Sequence, residues 1–205
     1  MLNNTLWSPT ISADTEPMQI AIGRGVWIDE KRGGRKIPYK TYCPVEQDKG
    51  PYPVIIWSHG LGGSREGAGF ISRYIASHGY VVIHIQHFGT DSSLWEGKPG
   101  HPWDVIRATY IPRSDTLQRF KDVPFALSQI PTLDIAPFMD LTRMGMSGHS
   151  FGGMTTQVMA GQYRGYGKTQ YSLFQKDFKA GIIYSPSPFF QRKGLPLEDF
   201  YGGMH

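Results

Sequence analysis

Residues 147–153 read SGHSFGG, preceded by LTRMGM and followed by MTTQVMAGQY. The left flank predicts a strand and FGGMTTQVMAGQY a helix. The pattern Gly148-x-Ser150-x-Gly152 between a strand and a helix is a nucleophile elbow. A serine on so sharp a turn is held at strained backbone angles. Gly148 and Gly152 keep side chains from colliding across the turn. The hydroxyl is then presented at the carboxyl end of the sheet, where open α/β sheets bind their ligands. The helix aims its N-terminus at the serine, so the Phe151 N–H and the helix dipole face any developing oxyanion. His149 is expected to pack beside the site. A phosphate loop is unsupported, since neither GK[ST] nor GxGxxG occurs.

Working outward, SHGLGGS (58–64) closes the apolar run PVIIW. An acyl-transfer site needs a second N–H donor beside the elbow, and a glycine-rich loop after an earlier strand supplies it. That donor is expected to be the Leu61 N–H, with His59 and Gly60 shaping the loop. His59 reads as an orienting residue and not as a base. Val54–Trp57 suit a strand covered on both faces, as in a parallel sheet. REGAGFISRYIASHGY predicts a helix with Phe70, Ile71, Tyr74 and Ile75 on its packed face and Gly79 as its stop. VVIHIQH predicts another strand, which completes a βαβ unit. Alternation puts His84 and His87 on opposite faces and argues against a metal pair.

Before this unit, QIAIGRGVWIDEKRGGRKIPYKTYCP predicts a hairpin with Gly33-Gly34 in its turn. Lys31, Arg32, Arg35 and Lys36 read as a solvated turn. After it, residues 88–113 predict a long loop at the active-site edge. Its Leu94, Trp95, Trp103, Tyr110 and Ile111 either line the pocket or pack on the scaffold. Asp91, at the same edge, either trims the pocket or caps a turn. A helix is expected over about 114–130. There Pro124 either kinks it or opens a second helix after an Asp122 cap. FKAGIIYSPSP predicts a further strand, buried on both faces. Residues 1–18 read as an N-terminal arm and 19–205 as one domain.

The 205 residues are 40% hydrophobic, enough for one globular core, and the net charge is +4. The basic residues are scattered, with no basic face bearing stacking aromatics, so nucleic acid is not an expected partner. A single cysteine, Cys43, excludes an internal disulfide and a cysteine metal cage. It is expected to be inert and partly buried. No apolar run is long enough to span a membrane, and no signal pattern opens the chain, so the cytoplasm is the expected location.

HGLGG, ASHGYVV and GHSFGG carry a family likeness. Over about residues 25–190 the chain resembles the α/β-hydrolase superfamily. Within it, the chain resembles the platelet-activating-factor acetylhydrolase and predicted dienelactone hydrolase group. The resemblance implies an α/β fold, a mostly parallel sheet with helices on both faces. It implies an esterase or lipase-like enzyme with Ser150 as nucleophile, no cofactor or metal, and a small-molecule or lipid ester as substrate. Dienelactone hydrolases proper use cysteine, so their chemistry does not carry over unchanged.

A serine needs a base, and the base an orienting carboxylate. The chain order in this fold is Ser, then Asp or Glu, then His. After Ser150 come only Asp177, Glu198, Asp199 and His205. Asp177 precedes a strand, at the wrong end of the sheet. Glu198 or Asp199 with His205 is the lesser alternative. The expectation is a sheet truncated after about the sixth strand, with acid and base beyond residue 205, so that this chain alone is expected to be inactive. Should the natural chain end here, the rival is a non-catalytic binding protein on the same scaffold. Acyl transfer to an acceptor other than water would use the same residues.

Overall fold

A computed structural model describes residues 16–165, 167–185 and 204. Six strands form one sheet. They are β1 (Ile20–Asp29), β2 (Arg35–Pro44), β3 (Tyr52–Ser58), β4 (Val81–Ile85), β5 (Met139–His149) and β6 (Phe178–Tyr184), in the order β1-β2-β4-β3-β5-β6. β2 pairs antiparallel with β1 and with β4, whereas β4, β3, β5 and β6 run parallel. The expected hairpin is present. Gly33 and Gly34 turn it at φ 70° and 73°, angles that a side chain would oppose. The arm expected over 1–18 lies mostly outside the described residues.

Helices cover both faces. On one, α3 (Arg113–Gln129) and α4 (Phe151–Met159) bury Phe120, Val123, Ala126 and Val158 against Val54, Ile56, Ile83 and Ile85. On the other, α1 (Gly69–Ser77) packs on Tyr42, Trp57 and Val82. β4 therefore alternates its apolar side chains between two cores, as a strand buried on both faces must.

Four expectations need correction. The packed face of α1 is Ile71, Ser72, Ile75 and Ala76, while Phe70 and Tyr74 are 77% and 68% exposed. The reason is polar: Ser72 Oγ lies 2.6 Å from His84 Nε2, and this buried pair turns the helix. The 88–113 stretch contains a helix, α2 (Pro102–Ala108), opened by Pro102 and capped by His101, whose Nδ1 accepts from Trp103 N–H. Pro124 lies inside a single α3, and Asp122 is buried in its interior instead of capping a new helix. Finally, β6 is not buried on both faces. Among the described residues only β5 pairs with it, and Lys179–Ile182 are exposed.

Candidate active site

The elbow forms where β5 meets α4. Ser150 adopts φ 56°, ψ −115°, one of three described non-glycine residues at positive φ. A turn this tight leaves no room on its flanks. A β-carbon at Gly152 would overlap the Ser58 carbonyl, and one at Gly148 would overlap Gly152. Two hydrogen bonds hold the serine backbone: its N–H donates to Tyr184 O (2.9 Å) and its carbonyl accepts from Met154 N–H (3.0 Å). The Ser150 side chain is half-buried, and no described residue hydrogen-bonds its hydroxyl.

The loop after β3 lies against this turn. Ser58 pairs in register with Gly148, so β3 and the elbow strand end side by side. A β-carbon on Gly60 would stand 3.5 Å from Ser150 Cβ and 3.3 Å from His149 O. The structure thus brings Gly60, Gly148, His149 and Gly152 around Ser150, with Leu61 next in the loop. Neither the Leu61 N–H nor the Phe151 N–H meets an acceptor among the described residues. Gly62 N–H donates to Thr90 O (2.9 Å) and Gly63 N–H to Gly60 O (3.1 Å), which fixes the loop on either side of Leu61.

His59 is buried. It accepts at Nε2 from the His87 backbone N–H (3.0 Å), so its proton sits on Nδ1 and is donated to Gly60 O (2.6 Å). Both ring nitrogens are occupied. Burial, followed by the Arg119 charge, pushes the His59 pKa well below the ordinary range. Its ring is a neutral strut of the loop.

Beneath the loop runs a hydrogen-bonded chain that the sequence did not announce. Arg119 Nη2 donates to Ser58 Oγ (2.8 Å), which sits 2.9 Å from His87 Nε2. His87 Nδ1 lies 3.1 Å from Asp122 Oδ2. Asp122 also accepts from Arg32 Nη1 (2.8 Å) and from Arg35 Nε (2.7 Å) and Nη2 (2.8 Å). Burial alone would raise the Asp122 pKa. Hydrogen bonds from Arg35 and His87 prevail and hold it at about 2. Burial and the Arg119 charge keep His87 neutral, with a pKa of about 4. Ser58, His87 and Asp122 have the residue types of a catalytic triad, but all three are fully buried. Arg32 and Arg35 are only 15% and 12% exposed, which corrects the solvated-turn reading of that cluster. Lys40 and Arg24 converge on Glu66 on the opposite face.

A cavity of about 610 Å³ opens beside the elbow. Its walls include Trp57, Leu61, Ile71, Trp95, Trp103 and Ile106, with His149 and Tyr184 at the elbow side. Among the described residues that line it, none is Asp, Glu, Lys or Arg. Of the loop aromatics, Trp95 and Trp103 reach this cavity, and Trp95 Nε1 donates to Gly62 O (2.7 Å). Tyr110 is 82% exposed. Asp91 accepts from Gln86 Nε2 (2.7 Å) and Ser93 Oγ (2.5 Å) at the head of a short turn. His84 and His87 point to opposite faces, toward Ser72 and Asp122. Among the described residues no cluster of three His, Cys, Asp or Glu could hold a metal, and no helix is long and apolar enough to cross a membrane. Asp177 sits in the turn before β6. Glu198, Asp199 and His205 lie outside the described residues.

Residues 21–95 match the family "Platelet-activating factor acetylhydrolase, isoform II". The platelet-activating factor acetylhydrolase of Cavia porcellus is 24% identical over 184 residues, covering 74% of this chain and 42% of that protein. The one from Bos taurus is 30% identical over 136 residues, 51% of this chain and 31% of that protein. The chain thus spans less than half the length of these relatives. Among solved structures, a candidate dienelactone hydrolase from Klebsiella pneumoniae superposes with a TM-score of 0.58 at 18% identity. That match covers 85% of this chain and 64% of that one. The chain has the α/β-hydrolase fold, and in sequence it resembles the platelet-activating factor acetylhydrolases of isoform II.

Proposed function

We propose that the protein is a serine hydrolase of carboxylic esters, with Ser150 as nucleophile. The observation that carries this reading is the posture of Ser150. It is strained and half-exposed, and no described residue hydrogen-bonds its hydroxyl, at the N-terminus of α4 beside the glycine loop after β3. The Ser150 oxygen attacks the ester carbonyl carbon while a histidine outside the described residues takes its proton. The carbonyl oxygen becomes an oxyanion, received by the N–H groups of Leu61 and Phe151. The C–O bond to the alcohol breaks, and the histidine returns the proton to the departing oxygen. Water then attacks the acyl-serine by the same path and releases the acid. His59, with both nitrogens engaged, orients the loop and leaves proton transfer to the other histidine.

The substrate class follows from the cavity. Its uncharged, aromatic-rich wall suits an ester whose group beside the scissile bond is neutral and apolar. The relatives named platelet-activating factor acetylhydrolase act, by that name, on an acetyl group, which supports a small-molecule ester.

The test is covalent labelling by a fluorophosphonate together with hydrolysis of p-nitrophenyl acetate. The full-length natural protein should label at Ser150 and turn over; its Ser150→Ala variant should do neither. Labelling that survives Ser150→Ala would overturn the assignment. A folded wild type that never labels would favour a binding role for the scaffold.

A further inference from the structure

Among the described residues Arg119 is the largest fully buried side chain, and nothing in the chemistry above uses it. It springs from α3 and reaches under the sheet's carboxyl end. There its guanidinium meets three segments. Toward the loop after β3, Nη2 donates to Ser58 Oγ (2.8 Å) and to the His59 carbonyl. Toward the elbow helix, Nε donates to Thr155 Oγ1 (2.8 Å), and Thr155 in turn donates to the Phe151 carbonyl (2.9 Å). The guanidinium carbon also lies 4.5 Å above the Phe151 ring. Toward the loop after β4, Nη1 donates to Thr90 Oγ1 (2.9 Å), and the Thr90 carbonyl receives the Gly62 N–H.

The two peptide groups assigned to the oxyanion, Leu61 and Phe151, stand on separate chain segments. Their mutual distance is therefore not set by either backbone alone. We propose that Arg119 is the positioning residue that fixes the spacing of these two N–H donors, its planar fork bracing the His59–Gly62 loop against the first turn of α4. This rests on the reading of Ser150 as an acyl-transfer nucleophile.

Chemistry favours arginine for this task. The fork presents five N–H donors in one rigid plane, whereas a lysine ammonium is a point charge on a flexible stem. Burial pulls the guanidinium pKa down to about 9, opposed by Asp122 and Asp91, so the group is charged at neutral pH. The Ser58–His87–Asp122 chain continues from it and anchors the far side of the same loop, because the His87 N–H holds His59 Nε2.

The experiment compares wild type, Arg119→Lys and Thr155→Val. Turnover is normalised to the fraction of Ser150 that labels. Each protein is tested with p-nitrophenyl acetate and with a trifluoromethyl ketone, whose adduct with the serine carries an oxyanion. Loss of one oxyanion donor lowers kcat by about 100- to 1,000-fold. Arg119→Lys should lower kcat by roughly 10-fold or more, short of that limit. KM should stay within about twofold, and affinity for the ketone should fall in parallel with kcat/KM. Thr155→Val removes one arm of the brace and should fall between the two. If both variants melt at lower temperature but keep wild-type kcat and ketone affinity per labelled site, Arg119 is structural only and the proposal fails. If Arg119→Lys does not fold, Thr155→Val alone decides, by the same two readings. A folded wild type that never labels would remove the nucleophile reading and this inference with it. Normal wild-type labelling with unchanged variants would remove only the inference.

Discussion

His87 Nδ1 stands 3.1 Å from Asp122 Oδ2, with both side chains fully buried between β4 and α3. Asp122 is also the meeting point of Arg32 and Arg35 from the β1–β2 hairpin. One carboxylate therefore ties the hairpin, α3 and the loop after β4 together. Losing it would leave the mostly buried Arg35 without its ion-pair partner and Arg32 with Asp29 alone. Asp122→Asn should lower stability by about 3 kcal/mol, the size seen when one partner of a buried pair is removed. Urea unfolding followed by tryptophan fluorescence measures this, and an unchanged midpoint would contradict it.

Acid should destabilise the fold before carboxylates titrate. His84 and His87 both have pKa values of about 4 in the folded chain, against 6.5 when unperturbed, chiefly because burial disfavours their charged forms. As pH falls below about 6.5, the unfolded chain takes up protons that the folded chain refuses. Stability is therefore lost between about pH 6.5 and 4 and levels off below, by at most about 3 kcal/mol per imidazole. Asp122, held at about 2, adds a further loss below about pH 4. Unfolding midpoints across this range should slope downward toward acid. His87→Gln should flatten the slope, whatever it does to stability at pH 7.

Gly152→Ala tests the closeness of β3 and α4. The added methyl would strike the Ser58 carbonyl, which is main chain and cannot swing aside. The variant should lose about 1–3 kcal/mol of stability or more. Its fluorophosphonate labelling should fall further than that loss explains, since the elbow itself must shift.

Trp103 lines the cavity yet is 58% exposed, so truncating it should spare the fold. Trp103→Ala should reduce kcat/KM for p-nitrophenyl hexanoate by roughly fivefold, or about 1 kcal/mol of apolar contact. The acetate ester should change less. Equal losses for both esters would place the acyl chain elsewhere.

Cys43 is buried in β2, and burial raises its thiol pKa. A thiol held away from solvent and protonated is unreactive. Ellman's reagent should therefore modify it only as the chain unfolds, which gives an independent clock for opening of the sheet at β2.

The elements that could be read from sequence are those whose signals are local. SGHSFGG gives its own strand, turn and helix because only glycine fits on either side of the serine. VIIW and VVIHI are apolar on consecutive positions, which requires cover on both faces. What escaped depends on partners distant in the chain. Arg32 and Arg35 look like turn charges until Asp122, about 90 residues away, is folded against them. Arg119 looks like any helix arginine, and only the ends of β3 and β4 make it a brace. In α1 the expected apolar stripe lost to Ser72, because His84 waits beneath it and a buried imidazole needs a partner. α2 is only seven residues long, too short for its period to stand out.

The bond from Ser150 N–H to Tyr184 O has a consequence for how the protein comes alive. The serine backbone is moored to β6, and among the described residues β6 pairs only with β5. The backbone geometry of the elbow thus depends on β6 staying docked against β5. A population with β6 frayed would keep its helical circular dichroism while fluorophosphonate labelling of Ser150 had already fallen.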